Sequence, residues 1–287
     1  MRFIVGLQQE ALILQNSACR KNMPNTAGKC REKMIETTIV EKKKIRLKNP
    51  ILIEGLPGIG LVGKIAADHL IAELGAEKFA ELYSPHFPHQ VLMQRNGVMR
   101  MIKNKFYVAK GKNSDLVILV GDVQAVTSEA QYEVTGKILD FAQKKGVKLI
   151  ITLGGYGTGK MPTAPKVFGV VTHKEMIEEY KKHGVIFGES RGSIIGAAGL
   201  LLGLGKIRNM KGICLMGETH GGFVDARSAQ AVLEILSKIL GIKIDVKKLD
   251  QRAKESEMFA KKMEKEAASG KGMPPLEATK HDLSYIR

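Results

Sequence analysis

Eleven residues, Glu54-Gly55-Leu56-Pro57-Gly58-Ile59-Gly60-Leu61-Val62-Gly63-Lys64, carry the spacing best suited to chemistry in this chain. They follow an apolar run and open an amphipathic stretch. In that setting Gly58, Gly60 and Gly63 match the dinucleotide fingerprint, whose glycines permit a tight turn and close approach of a pyrophosphate to a helix N-terminus. Gly58, Gly63 and Lys64 also reproduce most of a phosphate-binding loop. Neither pattern is complete. A phosphate loop places Ser or Thr next, where a hydroxyl reaches magnesium, and Ile65 stands there. The dinucleotide pattern wants an acid at the end of the second strand about 20 residues on, where Glu77 and Glu81 sit in no clear strand pattern. A second run, Gly154-Gly155-Tyr156-Gly157-Thr158-Gly159-Lys160-Met161, reads as a loop after its own strand and has Met161 at the hydroxyl position. The favoured reading is that Gly55, Gly58, Gly60, Gly63, Lys64, Gly154, Gly155, Gly157 and Gly159 are structural, packing helix against sheet. An anion site is the alternative.

Other constellations are weaker. His86 and His89 share the loop Ser84-Pro85-His86-Phe87-Pro88-His89 without a third ligand nearby, so no metal is expected. Glu218, His220 and Asp225 allow an acid-base cluster, yet loop shaping and helix capping, with Asp225 as N-cap, explain them more simply. Gly188, Ser190 and Gly192 fit a nucleophile-elbow spacing, but no strand leads directly into the serine and only His220 or His281 lies downstream. No catalytic residue and no cofactor is assigned.

Elements that alternate short apolar runs with amphipathic stretches must position these residues. Strands are expected over 51–54, 116–121, 148–153, 167–171 and 212–216, after a first strand opening near Met34. Helices are expected over 61–74, 128–145, 173–183, 193–204 and 226–240; in the last, Ala229, Val232, Leu233, Leu236 and Leu240 share a face. Residues 79–110 read instead as paired antiparallel strands around Arg95-Asn96-Gly97, because Asn-Gly favours a hairpin turn. The fold class is α/β, a mostly parallel sheet flanked by helices.

The chain has 287 residues, 44% of them apolar, which is enough for a sizeable core. Its longest apolar run, 194–204, holds three glycines and is too short for the roughly 20 residues of a membrane span. Net charge is +16, spread as +7 over residues 1–48, +6 over 49–246 and +3 over 247–287. With no dominant patch, no Trp and few aromatic residues to stack on bases, a nucleic-acid partner is not expected. Three cysteines cannot build a disulfide framework, and Gln8, Gln9 and Glu10 interrupt the only signal-like run, so a cytoplasmic setting is expected. Residues 1–33 read as a disordered extension or one preceding a true start at Met34. Residues 34–246 form the α/β domain, 247–268 a C-terminal helix with a weak seam of small residues, and 269–287 a flexible tail with a Gly- and Pro-containing linker.

The segment Asn49-Pro50-Ile51-Leu52-Ile53 with its glycine loop, the run Gly154-Gly155-Tyr156, and Gly217-Glu218-Thr219 followed by Asp225 resemble the archaeal proteasome assembly chaperone family, related to eukaryotic assembly chaperones of the second type. The resemblance covers about 49–240. It implies a nucleoside-phosphorylase-like α/β domain, a homo-oligomer, and binding to α subunits of the 20S proteasome rather than catalysis. It also directs attention to the C-terminus, which in proteasome-binding relatives ends hydrophobic, Tyr, any residue. Here Leu283, Tyr285, Ile286 and Arg287 would meet the partner, with Tyr285 third from the end and Ile286 in the Tyr position. The expected function is a proteasome assembly chaperone. A nucleotide- or phosphate-binding transferase or ligase using the glycine loops is the alternative.

Overall fold

The computed structural model describes residues 36–188, 192–247 and 249. Ten strands occur among them: β1 (Thr38–Glu41), β2 (Ile51–Gly55), β3 (Glu77–Tyr83), β4 (Val91–Met93), β5 (Met99–Met101), β6 (Asn104–Ala109), β7 (Leu116–Gly121), β8 (Leu149–Gly157), β9 (Val167–Val171) and β10 (Lys211–Thr219). Eight of them form one sheet in the order β1-β3-β6-β7-β2-β8-β10-β9. Its centre, β7-β2-β8-β10, is parallel. Antiparallel strands extend it on both margins, β6, β3 and β1 on one side and β9 on the other. β4 and β5 pair only with each other, in a hairpin outside the main sheet.

Five α-helices occur among the described residues: α1 (Val62–Glu73), α2 (Ser128–Lys144), α3 (Ile177–Lys181), α4 (Ala197–Ile207) and α5 (Ala226–Leu240). Side chains alternate across a strand, so each central strand feeds two cores. Leu52, Leu119, Ile150 and Cys214 face the layer of α2 and α4, where Val134, Ile138, Leu139 and Leu201 meet them. Ile53, Ile118, Ile151 and Ile213 face α1 and α5, against Ile65, Leu70, Val232 and Leu233. Burial on both faces explains why these strands read as continuous apolar runs. Full burial of each such side chain contributes roughly 1.5–3 kcal/mol.

Local chemistry sets the helix ends. Thr127 caps α2 by accepting the Ala130 N–H at 3.3 Å. Asp225 caps α5 by accepting the Ser228 N–H at 2.9 Å, and Gly241 closes that helix in the left-handed region at φ 63°. α4 has no side-chain cap of its own, because Gly196 precedes it; Gln124 Oε1 reaches across from the loop after β7 to accept the Ala197 N–H at 2.9 Å.

The expected elements 51–54, 116–121, 167–171 and 226–240 appear at nearly those bounds. The hairpin forms at Asn96-Gly97, where Gly97 has φ 79° and its N–H donates to the Gln94 carbonyl at 2.9 Å. Three expectations are corrected. The helix over 193–204 begins at Ala197 and runs to Ile207, because Gly192 and Gly196 both take positive φ. The helix over 173–183 shortens to a 3-10 turn, Lys174–Met176, followed by α3. Finally, 154–157 is not a loop: β8 continues through Gly157, paired residue by residue with β10 up to Thr219. Cross-strand pairing overrides the low strand propensity of its glycines. The readings on 1–33, on 247–268 apart from Lys247 and Leu249, on 269–287 and on Ser190 lie outside the described residues.

Candidate functional site

The glycines of the first loop are filled in by main chain. A Cβ on Gly63 would stand 2.0 Å from the Leu153 carbonyl oxygen, and one on Gly55 would stand 2.3 Å from the Gly63 carbonyl oxygen and 2.4 Å from Ala67 Cβ. α1 therefore lies directly against the end of β2 and the middle of β8. Gly60 holds φ 61° in a 3-10 turn, Ile59–Leu61, and its carbonyl accepts the Asp225 N–H at 2.9 Å, joining this loop to the one after β10. Leu61, also left-handed at φ 52°, stands at the helix N-cap and has no capping side chain. Lys64 is buried and pairs with Asp68 one turn along α1. Its ammonium is directed along its own helix and not over the loop. Gly58 alone has open space at its Cβ position, with Leu56 O no nearer than 4.0 Å.

The second glycine segment is strand and packing surface. A Cβ on Gly155 would meet the Ile59 carbonyl oxygen at 2.5 Å, so this glycine lets the first loop sit on β8. Gly157 makes ordinary contact with Ile59, while Gly154 and Gly159 have open space. Two N–H groups of this segment are already engaged, since Thr158 donates to the Thr219 carbonyl at 2.8 Å and Gly159 to the His220 carbonyl at 3.2 Å. Lys160 is exposed. Both segments thus meet at the carboxyl ends of β2, β8 and β10, the edge where α/β sheets usually bind ligands, and there they pack on each other.

The other clusters separate into structural roles. Asp225 Oδ2 accepts the Thr219 hydroxyl at 2.7 Å and the Ser228 hydroxyl at 2.9 Å. Glu218 accepts the Lys166 N–H at 3.3 Å, while His220 accepts the Gly222 N–H at 3.2 Å and rests against the Phe223 ring at 4.9 Å. These three side chains do not converge. His86 pairs with Glu133, which itself accepts the Thr37 N–H at 3.4 Å, and His89 is exposed. Among the described residues no group of three His, Cys, Asp or Glu side chains is placed to hold a metal ion.

One constellation escapes the motif reading. Glu54 on β2, Thr152 on β8 and Cys214 on β10 are register partners in a row across the parallel strands, all fully or almost fully buried. Burial pushes the Glu54 carboxyl up to about 8, against the opposing hydrogen bond from the Leu56 N–H at 2.9 Å. Burial likewise pushes the Cys214 thiol up to about 12, although the neighbouring Thr152 hydroxyl works the other way. Burial thus favours the protonated form of both groups over carboxylate and thiolate. The one sequence signal for this row is an acid closing the apolar run Ile51-Leu52-Ile53.

The family described as PAC2 matches residues 52–264. The uncharacterized protein MJ1210 of Methanocaldococcus jannaschii is 40% identical over 246 residues, which is 84% of this chain and 93% of that protein. Among solved structures, Pyrococcus furiosus PbaB, an archaeal proteasome activator, is 50% identical with a TM-score of 0.76, over 80% of this chain and 99% of its own. Pyrococcus furiosus PbaA, an archaeal homolog of proteasome-assembly chaperone, is 30% identical with a TM-score of 0.66, over 81% and 99%. No helix among the described residues is long and apolar enough to cross a membrane.

Proposed function

The chain belongs to the PAC2 family, and from that premise we propose that it is a non-enzymatic proteasome assembly chaperone or activator that binds α subunits of the 20S proteasome, in part through its C-terminal residues. The observation that carries this reading is the 50% identity to PbaB, an archaeal proteasome activator, across 80% of the chain. The glycine segments support it: main chain occupies the space at Gly55, Gly63 and Gly155, and Lys64 is paired within α1. The alternative, a nucleotide- or phosphate-binding transferase or ligase, rests on those same segments and gains nothing from their geometry.

In this reading the twelve residues after Pro275 reach a pocket on the partner. Tyr285 and Ile286 each supply roughly 1.5–3 kcal/mol on burial, and the terminal carboxylate pairs with a cation on the pocket floor. Co-sedimentation with 20S particles tests this. The Tyr285→Ala, Ile286→Ala double variant is expected to lose binding while keeping the wild-type melting temperature, and equal co-sedimentation of the two proteins would refute docking through the tail.

A further inference from the structure

The layer of α1 and α5 thins out at β6. Among the described residues the apolar core on that side takes Tyr107 and Ala109 from β6 and nothing from β1 or β3. Alternation along β6 turns Phe106 and Val108 toward the opposite core, so Lys105 and Tyr107 share the side of the thinning layer. Register sets Glu81 of β3 beside Lys105, and Val40 of β1 beside Glu81. This margin of the sheet therefore presents charged and aromatic side chains in place of a helix-packed core.

The acids that neighbour Lys105 and Tyr107 are engaged elsewhere. Glu81 accepts Lys78 and Lys103 at 2.7 Å and the Tyr83 hydroxyl at 2.9 Å, with Lys42 at 3.8 Å. Asp122 is held by Arg100 at 2.6 and 3.0 Å and by the Lys103 N–H at 3.0 Å. Asp68 pairs with Lys64. Three acids thus serve five cations, and Lys105 adds a sixth. Among the described residues Lys105 has neither a hydrogen bond nor an ion pair, and Tyr107 has no hydrogen bond. Burial lowers the Lys105 ammonium below its ordinary range; Asp122 opposes this, while Arg100, Lys64 and Lys103 add to it. Burial raises the Tyr107 phenol, with Asp68 and Glu81 adding to the rise, which favours its donating form.

We propose that this face of β3 and β6 is a docking surface for an acidic segment of a partner protein, one of whose carboxylates is received by the Lys105 ammonium and the Tyr107 hydroxyl. Charge complementarity selects that occupant. Lys105 is already partly desolvated and crowded by like charges, so a carboxylate that reaches it relieves repulsion and forms a charge-assisted hydrogen bond. Residues two apart on a strand lie about 7 Å from one another, a separation that the two oxygens of one carboxylate can bridge between long side chains. The surroundings favour a polypeptide over a nucleic acid. A nucleic-acid backbone brings a phosphate at every step, and Glu81, Asp122 and Asp68 stand between the cations. A segment that alternates acidic with apolar side chains meets Lys105 and avoids those acids, while Val40, 37% exposed, and the rings of Tyr83 and Tyr107 receive its apolar residues.

The inference rests neither on the 20S proteasome nor on the tail. Fluorescence anisotropy of the full chain at low salt, with a labelled peptide of alternating Glu and Leu as the probe, tests it. Lys105→Gln is expected to weaken binding roughly tenfold or more and Tyr107→Phe roughly threefold. Both should keep the wild-type melting profile, since neither side chain has a hydrogen bond to lose. Lys206→Gln, which removes an exposed charge on α4, is expected to bind as the wild type does. No binding by the wild type, wild-type affinity in either β6 variant, or equal weakening by Lys206→Gln would each overturn the proposal. Tighter, Lys105-dependent binding of a polythymidine strand than of the peptide would overturn it in favour of nucleic acid. Complete displacement of the peptide by millimolar inorganic phosphate would overturn it in favour of a small anion.

Discussion

Gly63 lies so close beneath Leu153 that a Cβ added to it would stand 2.0 Å from the Leu153 carbonyl oxygen and 2.7 Å from its carbonyl carbon. No side-chain rotation relieves that overlap, because both atoms are backbone. Gly63→Ala is therefore expected to push α1 away from β8 and to destabilise the domain by about 2–4 kcal/mol, measured by denaturant unfolding. Ala at Gly154, where a Cβ meets nothing within 4 Å, is the control and should change stability little. Equal stability of the two variants would remove the packing role assigned to Gly63.

Two carboxylates give opposite pH signatures. Burial raises the Glu54 carboxyl to about 8 from an ordinary 4.5. Below 4.5 folded and unfolded chains both hold the proton, and between 4.5 and 8 only the folded chain does. Stability from this group is thus full below 4.5 and is lost as pH rises toward 8. Glu54→Gln should flatten that loss, which is on the order of a few kcal/mol across the window. Burial would raise the Glu81 carboxyl as well, but hydrogen bonds from Lys103 and Lys78, both at 2.7 Å, and from the Tyr83 hydroxyl at 2.9 Å outweigh it and hold the group at about 2. Its contribution is present above 4.5 and is lost as pH falls toward 2. Glu81→Gln should cost about 1–3 kcal/mol at neutral pH and flatten the acid limb. Chemical denaturation from pH 3 to 9 on both variants measures each slope.

ATP with magnesium should bind weakly or not at all. Ile65 and Met161 stand where a magnesium-binding hydroxyl belongs, and the Thr158 and Gly159 N–H groups already donate to the end of β10. Calorimetry that found micromolar, magnesium-dependent affinity would restore the transferase or ligase reading.

Hydropathy period and end signals were enough to place 51–54, 116–121, 167–171 and 226–240, because a strand buried on both faces must be continuously apolar and a helix on a sheet must carry a stripe. The Asn96-Gly97 turn and the Asp225 cap were equally legible, since each depends on residues within a few positions of one another. Gly154 to Gly157 misled for the same reason. Locally the run has the composition of a loop, whereas its state is set by pairing with Met216 to Thr219, far along the chain.

The sequence by itself determined the α/β layering, the family resemblance and the failure of both phosphate-loop patterns at Ile65 and Met161. All of these follow from residue type and near spacing. Tertiary structure alone decided what occupies the glycine spaces, that Glu54, Thr152 and Cys214 form one buried row, and that Glu81 and Asp122 are taken by other cations while Lys105 stands beside Glu81 without an ion pair. Each of these depends on which strands lie side by side and in what register, a choice made by the packing of whole layers and written in no single stretch of chain.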